Sequence, residues 1–598
     1  MSVRHDVLSR VGLWPIAVVL TVVLTARLGA ILFHKEAART RVVGGGLVAI
    51  ALFVVFVRLL GALGVLGGDI VFGSLLAGTA GLVLAHRQRT LGIAWRALVG
   101  RDTWPLVPVV AFVVLVTSLA AYWLPVWQWD SVGYHLPFVN FVLQHGSLAD
   151  VPPDVAYVST YPHNIESLFV AWRAVLPDDR LVDAGQIPLG LFGAATIAML
   201  ARELGARVEH AVGAGILWVA LPAVFLQLPT NYIDVACASL LLAAIVFIVA
   251  PPTRTNVLLA GLALGLFLGS KPNAPVGTAI LLLPLAWRAW KAGERPALVA
   301  AIALVAVFGL ESYLTNLVRH HNPIWPIIVK VGPITLPGTA QMQSLLDSGP
   351  NAPRLHGFVL WRVLRSWVTF DAKAAFDMRY GGLGIVFLVA LPLAVWLGAK
   401  RRSFLLLPIV AATFASPDPA VPRYVFAFPG LVLALAAAAL PALPALSLGV
   451  RRIGYAGAAV ASIAGILQVV PGLTGHELPF LAYASMSPDA RQRSIGADGP
   501  THEYEDALAR LGPDEGSVFD RSFYLPYLAW PGDLSHPVTR IPDDIDHEGV
   551  ERILADKHVR LFFVDSLSPV AVAARSRHGE FIELFLCKFE TCTVFFRS

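Results

Sequence analysis

The sequence has little charge and very little cysteine. Only 14% of its 598 residues are charged, whereas 56% are hydrophobic. A soluble domain usually has about 25% charged residues, so this composition excludes a disordered chain, a coiled coil and an ordinary cytosolic enzyme. Apolar runs of about 20 residues recur along the chain, which predicts a polytopic membrane protein. The formal net charge of +5 does not indicate nucleic-acid binding, because cytoplasmic loops of membrane proteins carry surplus Lys and Arg.

The three cysteines fall into two classes. Cys237 lies in an apolar run and is expected to be an ordinary core residue. Cys587 and Cys592 flank a short segment between two strand-like runs, where a tight hairpin would allow a disulfide. Two free thiols are the alternative. A disulfide would require an oxidising compartment, so this pair also bears on topology.

The predicted fold is an α-helical polytopic membrane protein of about 14 transmembrane helices, with a small α/β domain at the C-terminus. The first apolar run, 11–33, has no small-residue cleavage site after it, so it is expected to remain as a span. The chain divides into N-terminal helices (1–103), a membrane module (104–474) and a C-terminal domain (475–598). The membrane module contains two long loops, 127–182 and 317–380, and the first holds helix-like stretches at 133–145 and 163–176.

Loop charges predict the orientation of the chain. Five basic clusters lie on one side and are assigned to the cytoplasm by the positive-inside rule: Arg87 to Arg101, Arg202 with Arg207, Arg288 to Arg295, Lys400 to Arg402, and Arg451 with Arg452. Both long loops and the C-terminal domain with its cysteine pair then lie outside, where a disulfide is allowed. Arg4 and Arg10 also fall outside, against the rule, so the N-terminal orientation stays open. We expect a bacterial inner-membrane protein whose C-terminal domain is periplasmic.

Two acidic residues at the outer membrane face are the first functional candidates, because acidic groups next to the membrane are costly to keep. Asp130 lies in an aromatic segment, Trp127–Pro137, at the outer end of a predicted span. Partial desolvation there would favour a general base. Asp234 begins another span at the same face. Either residue alone could instead be a helix N-cap, but their shared position favours a functional role.

The first loop offers further polar candidates. His163 and Glu166 are three residues apart and would share one helix face, and His135 is a third candidate for this group. Such a group can bind a divalent cation, but its spacing is not diagnostic. Capping of the following helix is the favoured alternative, so no cofactor is predicted and a metal ion is left open.

Basic residues at the outer face form the third group. Lys271 interrupts an apolar stretch, Arg423 begins a span, and His321 precedes an Asn-Pro-Ile-Trp-Pro segment. Such groups can hold a lipid phosphate through charge-assisted hydrogen bonds. Snorkelling to lipid headgroups is the alternative. Lys271 and Arg423 break the charge bias expected of that face, which favours phosphate binding.

These motifs together resemble the GT-C superfamily of integral-membrane glycosyltransferases, of the protein O-mannosyltransferase and aminoarabinose-transferase type. Trp129–His135 resembles the first-loop motif of that family, and Tyr232–Asp234 resembles the second acidic motif. The Gly-rich span 261–271, the segment 322–326 and the segment 422–426 also match in order. The resemblance covers about 104–445. One departure is Ser131, which stands where many members have Glu, and this weakens any metal site carried over from the family.

The resemblance implies a fold and an activity. The membrane module would be catalytic, taking a sugar from a polyprenyl-phosphate donor at the outer face and passing it to a glycan, lipid or protein hydroxyl. Asp130 would be the general base, Asp234 would support it, and Lys271, Arg423 or His321 would hold the donor phosphate. His135, His163 and Glu166 would support the loop or the acceptor. Configuration would invert, and a hexose or a pentose would be transferred.

Two other functions remain as alternatives. A lipid-linked-glycan transporter or flippase would require inverted repeats and broken helices at the midplane. No repeat is evident, and the polar candidates lie at one face. A non-catalytic assembly protein would keep the fold and bind lipid without transferring sugar.

Overall fold

The protein is described by a computed structural model. It describes residues 13–87, 103–152, 155, 157–341, 359–368, 382–401, 404–443, 448–474, 479–486, 503–512, 514–523, 525–577, 579–586 and 592–598.

Helices dominate the described part of the chain. The α-helices are, in order, α1 (Trp14–Leu32), α2 (Ala38–Ala62), α3 (Gly68–Ala85), α4 (Val107–Trp123), α5 (Leu136–His145), α6 (Asn164–Ala174), α7 (Ile187–Glu203), α8 (Val208–Val219), α9 (Pro222–Gln227), α10 (Asp234–Val249), α11 (Arg254–Leu268), α12 (Ala274–Lys291), α13 (Arg295–Gly309), α14 (Glu311–His320), α15 (Val359–Val368), α16 (Gly384–Arg401), α17 (Leu406–Thr413), α18 (Ala427–Ala439), α19 (Leu448–Val469), α20 (Glu503–Leu508), α21 (His547–Ala555) and α22 (Pro569–Ser576).

The chain is an integral membrane protein. Among the described residues, six helical segments are long and apolar enough to cross a bilayer, and α13 with α14 makes a seventh candidate that is bent by 56°. Five other apolar helices have 10–17 residues. The expected count of about 14 spans is therefore not confirmed. One reason is that a 16-residue helix such as α10 is only about 24 Å long, which is less than the hydrocarbon thickness.

Two apolar stretches that are long enough to be counted among the expected spans are interrupted. In 208–227, the first helix ends at Val219 and α9 begins at Pro222, since proline is favoured in the first turn of a new helix. In 403–416, the described residues contain only the eight-residue helix α17. At the centre of the bundle, α10 is buried from Asp234 to Ile248 and α18 along its whole length.

Glycines on one face of α11 allow this helix to pack closely against α13. Gly261, Gly265 and Gly269 recur every four residues and therefore lie on one helix face. A Cβ at Gly261 would lie 2.6 Å from the Cα of Ala301, and one at Gly265 would lie 2.6 Å from the carbonyl oxygen of Leu304. Such small-residue ridges allow close packing of membrane helices. The packing fixes the end of α11, where Ser270 and Lys271 follow.

The first loop contains the two helices expected from its sequence, with one difference. A π-helical segment, Ser131–His135, precedes α5, and α6 follows a turn. The N–H of Asn164 donates to the carbonyl oxygen of Gly269 at 2.8 Å, and the Asn164 side chain donates to the carbonyl oxygens of Leu266 and Phe308. The start of α6 is thus attached to the end of α11.

Eight β-strands form two sheets in the described residues. Strands β1 (Ile327–Val331), β2 (Ile334–Leu336) and β3 (Ala340–Gln341) lie in the second loop in the order β2-β1-β3. Near the C-terminus, β4 (Gly516–Phe519), β5 (Val538–Arg540), β6 (Val559–Asp565), β7 (Phe581–Leu586) and β8 (Cys592–Arg597) have the order β5-β4-β6-β8-β7. We call this five-stranded sheet the C-terminal sheet. Its β4 is parallel to β5 and β6, whereas β8 is antiparallel to β6 and β7.

The C-terminal sheet packs directly on the first loop. The Oε1 atom of Gln144, at the end of α5, accepts hydrogen bonds from Trp530 Nε1 at 2.8 Å and Val538 N at 2.9 Å. Its Nε2 atom donates to the carbonyl oxygen of Val538 at 3.1 Å. From α6, the buried side chain of Arg173 donates to the carbonyl oxygen of Gly532 at 2.5 Å. One hydrophobic core therefore runs from the membrane helices into this sheet.

Candidate functional site

Asp130 lies immediately before the π-helical segment of the first loop. Its side chain makes no capping hydrogen bond to that helix, so the capping alternative does not describe it. Instead, its Oδ2 atom accepts a hydrogen bond from the guanidinium of Arg423 at 2.8 Å. Its backbone N–H donates to the hydroxyl of Tyr232 at 3.3 Å. The carboxylate is thus held against a residue 293 positions away in the sequence.

Asp234 is the first residue of α10, and the N-cap position before it is occupied by Ile233. Its two carboxylate oxygens point to two cations. Oδ1 accepts a hydrogen bond from Lys271 Nζ, and Oδ2 lies 3.5 Å from the same guanidinium nitrogen of Arg423 that contacts Asp130. The Asp234 side chain is only 2% exposed, so it requires these partners, because an unpaired buried carboxylate is costly.

Arg423 joins the two acids. It lies in a short 3₁₀ turn, Pro422–Val425, just before α18. Its guanidinium carbon lies 4.9 Å from the ring centroid of Tyr232 and 4.8 Å from that of Tyr424. The Tyr424 ring also lies 4.7 Å from Lys271 Nζ. Cations are attracted to aromatic faces, especially where water is excluded.

The four residues Asp130, Asp234, Lys271 and Arg423, which we call the charge cluster, therefore meet in one place. Two formal positive charges balance two negative ones. Burial acts to raise the pKa of the Asp130 carboxyl, but the charge and hydrogen bond of Arg423, helped by His135 and Lys271, hold that pKa below its usual value. Asp130 is therefore an ionised carboxylate near neutral pH.

Ser131 connects the two acidic motifs. Its hydroxyl accepts a hydrogen bond from the backbone N–H of Asn231 at 3.2 Å, and the Asn231 side chain donates to Asp183. A serine at this position thus binds the backbone that leads to Asp234.

The remaining first-loop candidates form a separate pair and a stacked ring. His135 Nδ1 lies 2.7 Å from Glu166 Oε1, and both side chains are buried. His163 does not pair with Glu166 or cap α6. Its ring stacks on Phe138 with centroids 3.8 Å apart, and burial lowers its pKa to about 4. Among the described residues, no group of three or more His, Cys, Asp and Glu side chains is arranged to hold a metal ion.

Two other predicted features lie apart from the charge cluster. His321 follows the last residue of α14, has a left-handed backbone conformation with φ of 53°, and is exposed.

The predicted disulfide would join the ends of two neighbouring strands. Leu586 pairs with Thr593 in the antiparallel β7–β8 arrangement, which is compatible with a bridge between Cys587 and Cys592. Cys587 and the side chain of Cys592 lie outside the described residues, so the disulfide stays a prediction. Cys237 is a buried free thiol.

Sequence reasoning missed the aromatic residues that complete the charge cluster. Tyr232 stands two residues before Asp234, and Tyr424 directly follows Arg423. Their proximity to these charged residues in the sequence is the signal that could have identified them. It also missed Gln144 and Arg173, which attach the first loop to the C-terminal sheet. No local pattern marks those two positions.

Comparison with known proteins rests on structure. No family model matches the sequence, and no curated protein matches it. The structure of ArnT from Cupriavidus metallidurans in the apo state matches with a TM-score of 0.53 and 13% identity over 82% of this chain and 97% of that one.

Two further solved structures match less closely. ArnT of the same organism bound to undecaprenyl phosphate has a TM-score of 0.48 at 14% identity, covering 82% of this chain and 97% of that chain. The apo oligosaccharyltransferase of Archaeoglobus fulgidus has a TM-score of 0.37 at 13% identity, covering 77% of this chain and 69% of that one. The match to apo ArnT shows that this chain shares the fold of that structure.

Proposed function

We propose that the protein is a glycosyltransferase that moves a sugar from a polyprenyl-phosphate donor to a hydroxyl acceptor at the outer membrane face. The charge cluster carries this proposal. Two carboxylates and two cations, contributed by four distant segments, meet beside the first loop, where Asp234 and Arg423 are buried and Asp130 and Lys271 are partly buried. Buried ionic groups are costly, and in membrane proteins they mark functional sites. The fold shared with ArnT supports the same reading.

Lys271 and Arg423 supply what the donor phosphate requires. A guanidinium and an ammonium that converge within one site can form several charge-assisted hydrogen bonds to phosphate oxygens. They would also stabilise the negative charge that develops on the phosphate as the glycosidic bond breaks. The exposed position of His321 makes it a peripheral contact in this proposal.

Asp130 is the proposed general base. It is ionised and less buried than Asp234, with side-chain exposures of 18% and 2%. As the acceptor oxygen attacks the anomeric carbon, its O–H bond breaks and the proton passes to the carboxylate. The new C–O bond forms while the bond to phosphate breaks, and the lipid phosphate leaves with the electron pair. A single displacement of this kind inverts the anomeric configuration.

The remaining parts of the proposal concern orientation and acceptor. If the basic clusters lie in the cytoplasm, the charge cluster and the C-terminal sheet would lie on the periplasmic side of a bacterial inner membrane. The C-terminal sheet contacts the loop that carries Asp130, which makes it a candidate for recognising a glycan, lipid or protein acceptor.

The test is transfer by the Asp130→Asn variant. Full-length protein in lipid nanodiscs is supplied with undecaprenyl-phosphate-linked hexoses and pentoses, with membrane extract as the acceptor source. Release of undecaprenyl phosphate is measured. The variant should lose about 10²–10⁴-fold in kcat, the usual contribution of a general base. The matched control is Asp418→Asn, which removes another buried carboxylate that pairs with an arginine, Arg362, at 2.7 Å.

Two results would contradict the proposal. Undiminished transfer by folded Asp130→Asn protein would remove Asp130 as the base. Tight binding of undecaprenyl phosphate by the wild type, with no transfer from any donor, would instead favour a transporter or an assembly protein.

A further inference from the structure

Three aromatic residues of the first loop, Tyr134, Tyr157 and Tyr161, lie against one another, and we call them the tyrosine cluster. The ring centroids of Tyr157 and Tyr161 are 5.0 Å apart, and the Tyr134 centroid lies 5.5 Å from that of Tyr161 and 5.9 Å from that of Tyr157. The rings meet at angles of 58°, 81° and 54°. All three residues are partly exposed, so the cluster is not a closed core contact.

The local backbone places these rings together and next to Asp130. Tyr134 follows Asp130 by four residues at the π-helical turn, and residues four apart lie on about the same face of a helix. The N–H of Tyr161 donates to the carbonyl oxygen of Tyr157 at 3.4 Å, so these two residues are one turn apart. Tyr157 has φ of 67°, which aromatic residues rarely adopt. Such backbone conformations are concentrated at functional sites.

The hydroxyl groups of the tyrosine cluster are available to a ligand. Within the part of the chain that the structure describes, none of the three is hydrogen-bonded to another protein group. Burial raises the pKa of all three tyrosines, and the negative charge of Asp130 contributes to this at Tyr134 and Tyr161. The hydroxyls therefore stay protonated near neutral pH and can both donate and accept hydrogen bonds.

This combination of groups is what a sugar ring requires. The C–H groups on the face of a sugar are attracted to the negative face of an aromatic ring. The hydroxyls around its edge need hydrogen-bond partners when they leave water. Tyrosine offers a ring face and a hydroxyl at a low cost in conformational entropy. A phosphate requires cations instead, which the charge cluster already contains, and an isoprenoid chain requires only apolar surface.

We propose that the tyrosine cluster is a sugar-binding subsite beside Asp130, in which the rings contact the C–H face of a pyranose or furanose and the tyrosine hydroxyls bond to its hydroxyls. This inference rests on the proposed function and names the residues that select the sugar. The bound ring belongs either to the donor or to a glycan acceptor, since both come close to Asp130 during transfer. Lys271 and Arg423 recognise a phosphate whatever sugar it carries, so sugar selectivity requires a further set of groups.

The first measurement compares undecaprenyl phosphate with and without an attached hexose or pentose, using native mass spectrometry of the full-length protein. Tyr161→Leu keeps an apolar side chain but removes the ring and the hydroxyl. If the subsite holds the donor sugar, this variant should bind the glycosylated lipid about tenfold more weakly than the wild type, because a ring contact and a hydrogen bond are lost. Its affinity for the bare lipid should be unchanged.

The matched control is Tyr122→Leu. Tyr122 is an exposed tyrosine at the outer end of α4, and its ring contacts the guanidinium of Arg180 at 5.6 Å. This control loses a tyrosine near the first loop without changing the tyrosine cluster, so it should bind both lipids as the wild type does.

The second measurement concerns the acceptor. Release of undecaprenyl phosphate from the glycosylated lipid is followed with increasing amounts of membrane extract as the acceptor source. If the subsite holds a sugar of the acceptor, Tyr161→Leu should bind both lipids normally but require about tenfold more extract for half-maximal release. The limiting rate should be unchanged, because the lost contact serves binding rather than the chemical step.

Two results would overturn the subsite. One is a Tyr161→Leu variant that matches Tyr122→Leu in both measurements. The other is an equal loss of affinity for the glycosylated and the bare lipid, which would show that Tyr161 contacts lipid rather than sugar. Failure of the wild type to release lipid phosphate from any donor would overturn the proposed function, whereas the lipid comparison requires no turnover and tests the subsite separately.

A second variant covers a folding failure of Tyr161→Leu. The triple variant Tyr134→Phe, Tyr157→Phe and Tyr161→Phe keeps all three rings and removes only the hydroxyls. Each lost hydrogen bond should weaken sugar binding about 2- to 10-fold. Wild-type behaviour of the triple variant in both measurements would overturn the proposal.

Discussion

Arg423 is the residue whose removal tests the electrostatics of the charge cluster most directly. One of its nitrogens contacts Asp130 at 2.8 Å and Asp234 at 3.5 Å. At an effective dielectric constant of 20, the 2.8 Å contact is an attraction of about 6 kcal/mol before the cost of burial is deducted. Removing one member of a buried pair costs about 3–5 kcal/mol of unfolding free energy, because the other charge is left without its partner. We expect Arg423→Gln to fall within that range near neutral pH.

The pH dependence of this loss follows from Asp130. In the wild type its lowered pKa adds stability that is present above the pKa of the unfolded chain and is lost as the pH falls through the folded value. Without Arg423, burial dominates and raises that pKa above the unfolded value. In the variant, the contribution of Asp130 to the free energy of unfolding then becomes unfavourable as the pH rises. Each unit of upward shift costs about 1.4 kcal/mol at high pH, so the variant should be more damaged at about pH 8 than at about pH 5.

The assay is thermal unfolding of the full-length protein in nanodiscs, followed by tryptophan fluorescence at both pH values. Arg362→Gln is the control, since Arg362 also pairs with a buried aspartate, Asp418. Adding Asp130→Asn to Arg423→Gln should recover stability at high pH, because the uncompensated charge is removed. Equal losses at the two pH values, or no recovery in the double variant, would refute the reasoning.

Two other predictions concern the donor and the C-terminal sheet. Lys271→Gln should weaken binding of undecaprenyl phosphate at least about tenfold, since one charge-assisted hydrogen bond is lost. Native mass spectrometry measures the bound fraction of the lipid. An equal loss of binding in the control variant Lys291→Gln would contradict the prediction. Gln144→Leu removes two hydrogen bonds to Val538 in the C-terminal sheet and one to Trp530, leaving both backbone groups of Val538 unpaired at about 1–3 kcal/mol each. Limited proteolysis should then release the C-terminal sheet faster from Gln144→Leu than from the control variant Arg180→Gln. That control alters an exposed ion pair in the first loop. Equal rates of release in the two variants would contradict the interpretation.

The parts of the site that could be predicted are those with a local signal. Asp130, Asp234, Lys271 and Arg423 stand out because each is a charge at the end of an apolar run, where burial is costly and a reason is needed. Their shared membrane face followed from counting spans. The sequence could not show that one guanidinium joins both carboxylates, because Arg423 is 293 and 189 residues away from them.

Other features were hidden for a different physical reason. Asp130 and Asp234 are both good N-cap residues, so local propensity favoured a capping role as strongly as a functional one. The capping role and the functional role are distinguished only by the partners of the carboxylate oxygens, which are cationic side chains. The π-helical turn before α5 was also hidden, because its residues read equally well as the start of an α-helix.

The balance of charge in the cluster connects donor binding to the proposed chemistry. Lys271 and Arg423 are already bound to carboxylates, so a phosphate that binds them must compete with Asp130 and Asp234 for the same donors. If Arg423 turns toward a phosphate, Asp130 loses the main influence that lowers its pKa, and burial then makes the carboxylate a stronger base. The base would therefore be strongest when the donor is present, and weakest when an acceptor hydroxyl meets an empty site. In the proposed function, the arginine that would hold the leaving group would thus also control when the acceptor hydroxyl is activated.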